Sequence, residues 1–253
     1  MKSLSYTICL VAVLTILAGT ANATLVAQWT FDEGSGTVAH DAVGGNNGTL
    51  YNGAGWTSGV SGSAASFNRS TSSYIDVPDN VSLRFSQADS FTIAFWAKPS
   101  YGGEVIAKMR GSDQSGFFGY EIGCASQTSF AFGCERSYSG RTVIETGTNS
   151  MSFGNWYYVA AVYDNKSMKI YLNGELKNTA TFGYNTGTTE PDGNLKMGVR
   201  SADMQYYYSG GLDDLRFYNE ALNANSISQL YQTTPEPATL LLLGLGGMLI
   251  RRR

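Results

Sequence analysis

The chain has one histidine, three cysteines and five prolines among 253 residues. Each scarcity removes a class of chemistry. A serine–histidine–aspartate centre would have to recruit His40, which has no serine-nucleophile motif beside it. Neither C-x-x-C nor H-E-x-x-H occurs, so zinc has no recognisable ligand spacing, and no EF-hand spacing supports a calcium sensor. Basic residues are not clustered in the body of the chain, which argues against a nucleic-acid partner. Against the scarce proline stand 30 glycines and 13% aromatics. That balance suits strands and turns.

Continuous apolar runs long enough for an ordinary membrane helix are missing too, but two shorter ones mark the ends. Residues 8–17 (ICLVAVLTIL) follow Lys2 and precede the small-residue site Ala21-Asn22-Ala23. That order is expected of a cleavable secretory signal peptide over residues 1–23. At the other end Pro235-Glu236-Pro237 leads into residues 238–250 (ATLLLLGLGGMLI) and then Arg251-Arg252-Arg253. A helix of that length covers only about 20 Å, against the ~30 Å of a bilayer core. The arginines should stay cytoplasmic, which puts everything before Pro235 outside. The two prolines keep the triad extended and open to a protease.

This tail (residues 235–253) closely resembles the PEP-CTERM sorting signal in its triad, Ala238-Thr239-Leu240 start, glycine-containing run and arginine end. The resemblance implies processing by an exosortase at the inner membrane of a Gram-negative bacterium that makes extracellular polysaccharide. The expected location is therefore the cell surface or beyond, with inner-membrane anchoring before processing.

Residues 24–234 remain, enough for one all-β domain. Of 17 basic and 20 acidic side chains, Lys2, Arg251, Arg252, Arg253 and Glu236 belong to the ends, so the domain keeps 13 and 19. This mild acidity suits solubility or a divalent cation. Cys9 leaves with the signal peptide. Cys124 and Cys134 stay in an oxidising compartment, where a disulfide is expected and two partly buried thiols are the alternative.

Periodicity supports strands nearly throughout. Residues 25–31 (LVAQWTF) and 91–98 (FTIAFWAK) alternate, whereas 156–163 (WYYVAAVY) is apolar on both faces and suits a central strand. Asn173-Gly174 after residues 168–172 (MKIYL) is a tight-turn signal. Further strands are predicted at 74–77, 105–108, 118–124, 129–134, 142–145, 195–199 and 212–218. One helix is predicted over 224–231, capped by Asn223, with Ile227, Leu230 and Tyr231 on one face. The pattern predicts a two-sheet antiparallel sandwich of jelly-roll type.

Six ordered segments resemble the LamG-like, concanavalin A-like lectin/glucanase domains. They are W-T-F-D-E-G-S-G from Trp29, Asp41 with the Gly44–Gly48 loop, and F-T-I…W-A-K-P from Phe91. Then follow Trp156 to Asp164, Y-L-N-G from Tyr171, and G-L-D-D-L-R-F-Y-N-E-A-L from Gly211. The resemblance implies that fold, and in many such domains a calcium ion where the first loop meets the last strand. Asp41, Asn46, Asp213 and Glu33 are the oxygen ligands it points to here. Parity with Leu215 and Phe217 directs Asp213 inward, where a carboxylate needs a partner. The alternative is that backbone N–H groups supply one.

A separate candidate is aromatic. Tyr206, Tyr207 and Tyr208, with Tyr101 and Tyr138, lie in loop-like stretches and could stack on sugar rings, or pack under the loops with their hydroxyls bonded. Laminarinase-type relatives carry an E-x-D-x-x-E strand suited to retaining hydrolysis. Here Glu190-Pro191-Asp192 starts that way, but Leu195 stands where the second glutamate belongs. The expected function is thus non-catalytic carbohydrate binding at the cell surface. The alternatives are a structural or adhesive matrix protein that binds proteins, and a divergent glycoside hydrolase.

Overall fold

The computed structural model describes residues 24–233 except 86–88, 114–115, 126–127, 136–141, 165–166 and 182–190. Both expected end segments and Tyr138 lie outside the described residues.

In chain order the strands are β1 (Leu25–Trp29), β2 (Val38–Ala39), β3 (Gly48–Tyr51), β4 (Gly55–Ser58), β5 (Ser63–Phe67), β6 (Tyr74–Val77), β7 (Phe91–Tyr101) and β8 (Gly103–Asp113). They continue as β9 (Gly116–Cys124), β10 (Phe130–Glu135), β11 (Thr142–Glu145), β12 (Tyr157–Asp164), β13 (Ser167–Leu172), β14 (Glu175–Thr181), β15 (Leu195–Met197) and β16 (Ser209–Tyr218). A single α-helix, α1 (Ala224–Thr233), follows.

Two antiparallel sheets result. The back sheet runs β14–β13–β12–β7–β16–β5–β4, with β1 also paired to β16. The front sheet runs β11–β10–β9–β8–β15–β6–β3–β2. Period-two alternation sends one set of side chains from each sheet into a shared core. Trp29, Phe91, Phe95, Tyr120, Phe132 and Phe217 meet there, each burial contributing roughly 1.5–3 kcal/mol. Phe85 stacks on Phe91 at 4.8 Å.

The predicted central strand is central: β12 lies between β13 and β7 and is buried on both faces. Asn173 and Gly174, at φ 51° and 81°, turn β13 into β14, a conformation that asparagine and glycine tolerate best. Asn223 Oδ1 accepts the Ser226 N–H at 3.0 Å and starts α1. The outer face of the back sheet is apolar as well. Trp96, Tyr158, Val162 and Tyr218 form a second cluster there, covered by Ile227, Leu230 and Tyr231 of α1.

The expected disulfide is corrected. Cys124 pairs across β9–β10 with Phe130, and Cys134 with Tyr120. That register offsets the two cysteines by four residues, about 13 Å along the strands, whereas a disulfide needs Cα atoms within ~7 Å. Both thiols are buried and not bonded to each other.

Candidate functional site

The acidic residues proposed as one calcium site separate into three hydrogen-bonded arrangements. Asp41 and Asn46 do come together. Asp41 Oδ1 accepts the N–H groups of Gln28 at 2.8 Å and Val43 at 3.0 Å. Its Oδ2 accepts the Asn46 N–H at 2.9 Å and the Asn46 Nδ2–H at 2.7 Å. Burial pushes this carboxyl up, but backbone donors from Gln28, Asn46, Val43 and Gly44 outweigh it and hold the pKa below the ordinary value. Glu33 instead accepts the His40 N–H at 2.7 Å.

Asp213 goes elsewhere because the strand parity breaks. Asp214, at φ 44°, forms a bulge in β16 against β7. Leu212 and Leu215 both reach the core, so Asp213 lands opposite Trp96 on the outer face. There it is 2% exposed. Its Oδ2 accepts the Val60 N–H at 2.7 Å and the Ser61 N–H at 3.4 Å, from the β4–β5 turn rather than the first loop. A Cβ on Gly59 would sit 2.5 Å from that oxygen, so glycine admits the carboxylate to the turn. Burial pushes the Asp213 pKa up to about 7, against the opposing backbone bonds.

These donors do not fit a single calcium ion. The Asp41 oxygens receive N–H groups, the Asn46 amide nitrogen faces Asp41, and Asp213 serves another turn. Among the described residues no three His, Cys, Asp or Glu side chains are grouped to hold a metal.

A groove of about 990 Å³ opens on the outer face of the front sheet. Its floor follows from cross-strand register. Glu145, Ala131, Gly123 and Glu104 lie side by side on β11, β10, β9 and β8. The neighbouring row is Val143, Gly133, Glu121 and Ala107. Small residues thus separate three carboxylates on one face. A Cβ on Gly123 would overlap the Glu104 carboxylate, and one on Gly133 would lie 3.1 Å from Glu121 Oε1. The glycines let these acidic side chains lie flat along the floor. Glu145 Oε2 accepts the Ser129 hydroxyl at 2.9 Å.

The wall is aromatic and cationic. Tyr101 is 47% exposed, with the Arg69 guanidinium 3.8 Å from its ring centre. Tyr206 is 61% exposed, with Arg200 4.3 Å from its ring centre and Arg200 Nε donating to Asp203 Oδ1 at 2.9 Å. Tyr207 completes this wall. Met204 and Tyr206 hold φ values of 57° and 55°, a left-handed conformation that costs a bulky residue about 1–3 kcal/mol. The strain is held by the Glu104 N–H donating to the Tyr206 carbonyl at 2.8 Å and by Gly103, whose absent side chain lets the Tyr207 carbonyl approach.

Three of the four described tyrosines on the predicted list therefore line one groove. Tyr208 is corrected: it is 0% exposed, and its hydroxyl donates to the Gly211 carbonyl at 3.1 Å. It sits one residue before β16 and turns into the core against Phe67. Sequence reasoning missed Glu104, Glu121, Glu145, Arg69 and Arg200. The usable signal was alternation within 118–124 and 129–134, where Gly123 and Gly133 flank large apolar residues of opposite parity.

Flat exposed rings beside carboxylate acceptors suit a ligand with apolar faces and a rim of hydroxyls. The two-sheet sandwich has a concanavalin A-like lectin fold. The chain belongs to the concanavalin A-like lectin/glucanases superfamily, whose model matches residues 69–228. A PEP-CTERM protein-sorting motif matches residues 233–253. No curated protein matches.

Among solved structures, the binding domain of Paraclostridial Mosquitocidal Protein 1 is similar at 17% identity and a TM-score of 0.66, over 83% of this chain and 52% of that one. Domain 4 of AbnA, an extracellular arabinanase from Geobacillus stearothermophilus solved with arabinotriose, is similar at 22% identity and a TM-score of 0.63, over 83% and 98%. A botulinum neurotoxin type C structure, whose cell entry depends on two ganglioside molecules, gives 16% identity and a TM-score of 0.65, over 83% and 51%. The chain thus spans about half the length of the two toxin chains. At these identities the likeness is one of fold.

Proposed function

We propose that this protein is a non-catalytic glycan-binding module, exported by a Gram-negative bacterium and handled at its tail by an exosortase-type protease. Its ligand lies in the front-sheet groove. The observation that carries this reading is the meeting of Tyr101, Tyr206 and Tyr207 with Glu104, Glu121 and Glu145 in one open groove. The fold neighbours support it: one is a domain solved with arabinotriose, another belongs to a ganglioside-dependent toxin. Outside the cell, the matching ligand class is polysaccharide of the cell's own matrix or of a surface it meets.

The test is retention of the purified protein on immobilised polysaccharides, with calcium and then with EDTA. Retention is expected, weakened by Tyr101→Ala and unchanged by EDTA. Retention on no polysaccharide, with capture of matrix proteins instead, would favour an adhesive role. Hydrolysis of a retained polymer would make the module an enzyme and turn attention to Glu104 and Glu121.

A further inference from the structure

The outer face of the front sheet continues past the groove. Two cross-strand rows can be followed across it. The first holds Glu145, Ala131, Gly123 and Glu104, and Glu104 is bridged to Tyr207 in the next position. Beyond it, Tyr74 on β6 pairs with Tyr51 on β3. The second row runs unbroken over all eight strands: Val143, Gly133, Glu121, Ala107, Lys196, Asp76, Thr49 and Val38. Alternation puts Tyr74 on the same face as Asp76, and Tyr51 on the same face as Thr49.

Tyr51 and Tyr74 stack at 5.1 Å with 15° between their rings. Tyr51 is 42% exposed. Lys196 holds the pair from one side, its Nζ 5.2 Å from the Tyr74 ring centre and ion-paired to Asp76. Asn194 Nδ2 also donates to both Asp76 oxygens at 3.1 Å. This is a fixed aromatic step with polar groups at its edge, built like the groove wall. Burial, then the nearby Asp76, Tyr51 and Tyr207, push the Tyr74 phenol up, and Tyr207 itself lines the groove.

We infer that Tyr51 and Tyr74 form a second saccharide subsite, continuous with the groove, so that the front sheet binds a linear polysaccharide running across its strands. This rests on the glycan reading of the groove. From Glu145 on β11 to Tyr51 on β3 there are six strand spacings, about 29 Å at ~4.8 Å each. That length calls for an extended polymer rather than a terminal sugar. Continuity of the second row and the repeated chemistry of tyrosine beside carboxylate select the same occupant along the whole face.

The test measures affinity for linear oligosaccharides of increasing length, cut from whichever polysaccharide retains the protein. The wild type is expected to bind a hexasaccharide at least tenfold more tightly than a trisaccharide. Tyr51→Ala and Tyr74→Ala should remove that increment and leave trisaccharide binding unchanged, whereas Tyr51→Phe should keep it. Equal affinity at both lengths, or an increment that survives Tyr51→Ala combined with Tyr74→Ala, would overturn the second subsite while leaving the groove intact. Absence of binding at any length would overturn both.

Discussion

The two outer faces of the sandwich start from the same pleat and end differently. On the back sheet the outward positions carry Ala94, Trp96, Tyr158, Val162 and Tyr218, and α1 closes over them. On the front sheet the outward positions carry Glu104, Glu121, Glu145 and two glycines, and tyrosines stand at the groove edge. A sheet face that another element covers must be apolar, and one that meets solvent is free to be polar. The front face goes further than solubility requires. Its carboxylates lie over glycine, and its wall includes a tyrosine in a strained conformation. Backbone strain of this kind clusters at binding sites, which accords with the role proposed for this face.

The comparison can be broken most severely at the back face. Trp96→Ala should cost about 3–5 kcal/mol, because it empties the cluster under α1. Urea unfolding would measure that loss, and polysaccharide retention of the remaining folded protein should be unchanged. If the loss of Trp96 abolished retention in folded protein, the two faces would not be independent.

Asp213 sharpens the same contrast through pH. Its pKa is about 7 in the folded protein against an ordinary 3.8, so the folded state holds the extra proton between those values. Its contribution is fully present below pH 4 and is lost as the pH rises through 7. Each pKa unit is 1.36 kcal/mol, so the loss approaches roughly 4 kcal/mol at most. Asp213→Asn keeps an acceptor for Val60 and Ser61. The variant should therefore be more stable than the wild type at pH 8 and about equal to it at pH 4. Melting temperatures across that range decide the matter, and equal pH profiles for the two proteins would refute it.

Smaller effects belong to the groove. Tyr206→Gly should raise stability by about 1 kcal/mol, since glycine adopts positive φ without strain. It should also weaken retention, separating stability from binding in one substitution. Tyr101→Ala should change stability by no more than about 0.5 kcal/mol and lower the affinity for polysaccharide. A Tyr206→Gly protein that is more stable and equally well retained would leave the strain without a purpose.

Legibility in the sequence follows the range of the interactions. The Asn173-Gly174 turn, the Asn223 cap and the doubly apolar β12 are local signals, and all three stand in the structure. Two of the three corrections come from position along or across strands. The bulge at Asp214 carries Asp213 from the expected core face to the outer face. The pairing of β9 with β10 separates Cys124 from Cys134. The strands β2, β3, β4 and β5 were missed too: β2 has two residues, and the others (GTLY, GWTS, SAASF) carry no alternation of large apolar side chains. Glu104, Glu121 and Glu145 are far apart in sequence and become neighbours only through register, which no single strand records.

The most direct measurement is hydrogen–deuterium exchange of the purified protein with and without a polysaccharide that retains it. Protection is predicted in peptides covering residues 101–104, 121–123 and 200–207, with none added over the β4–β5 turn or α1. Protection confined to the loop at 41–48 or the turn at 58–62 would contradict the assignment of the front-sheet groove as the binding face.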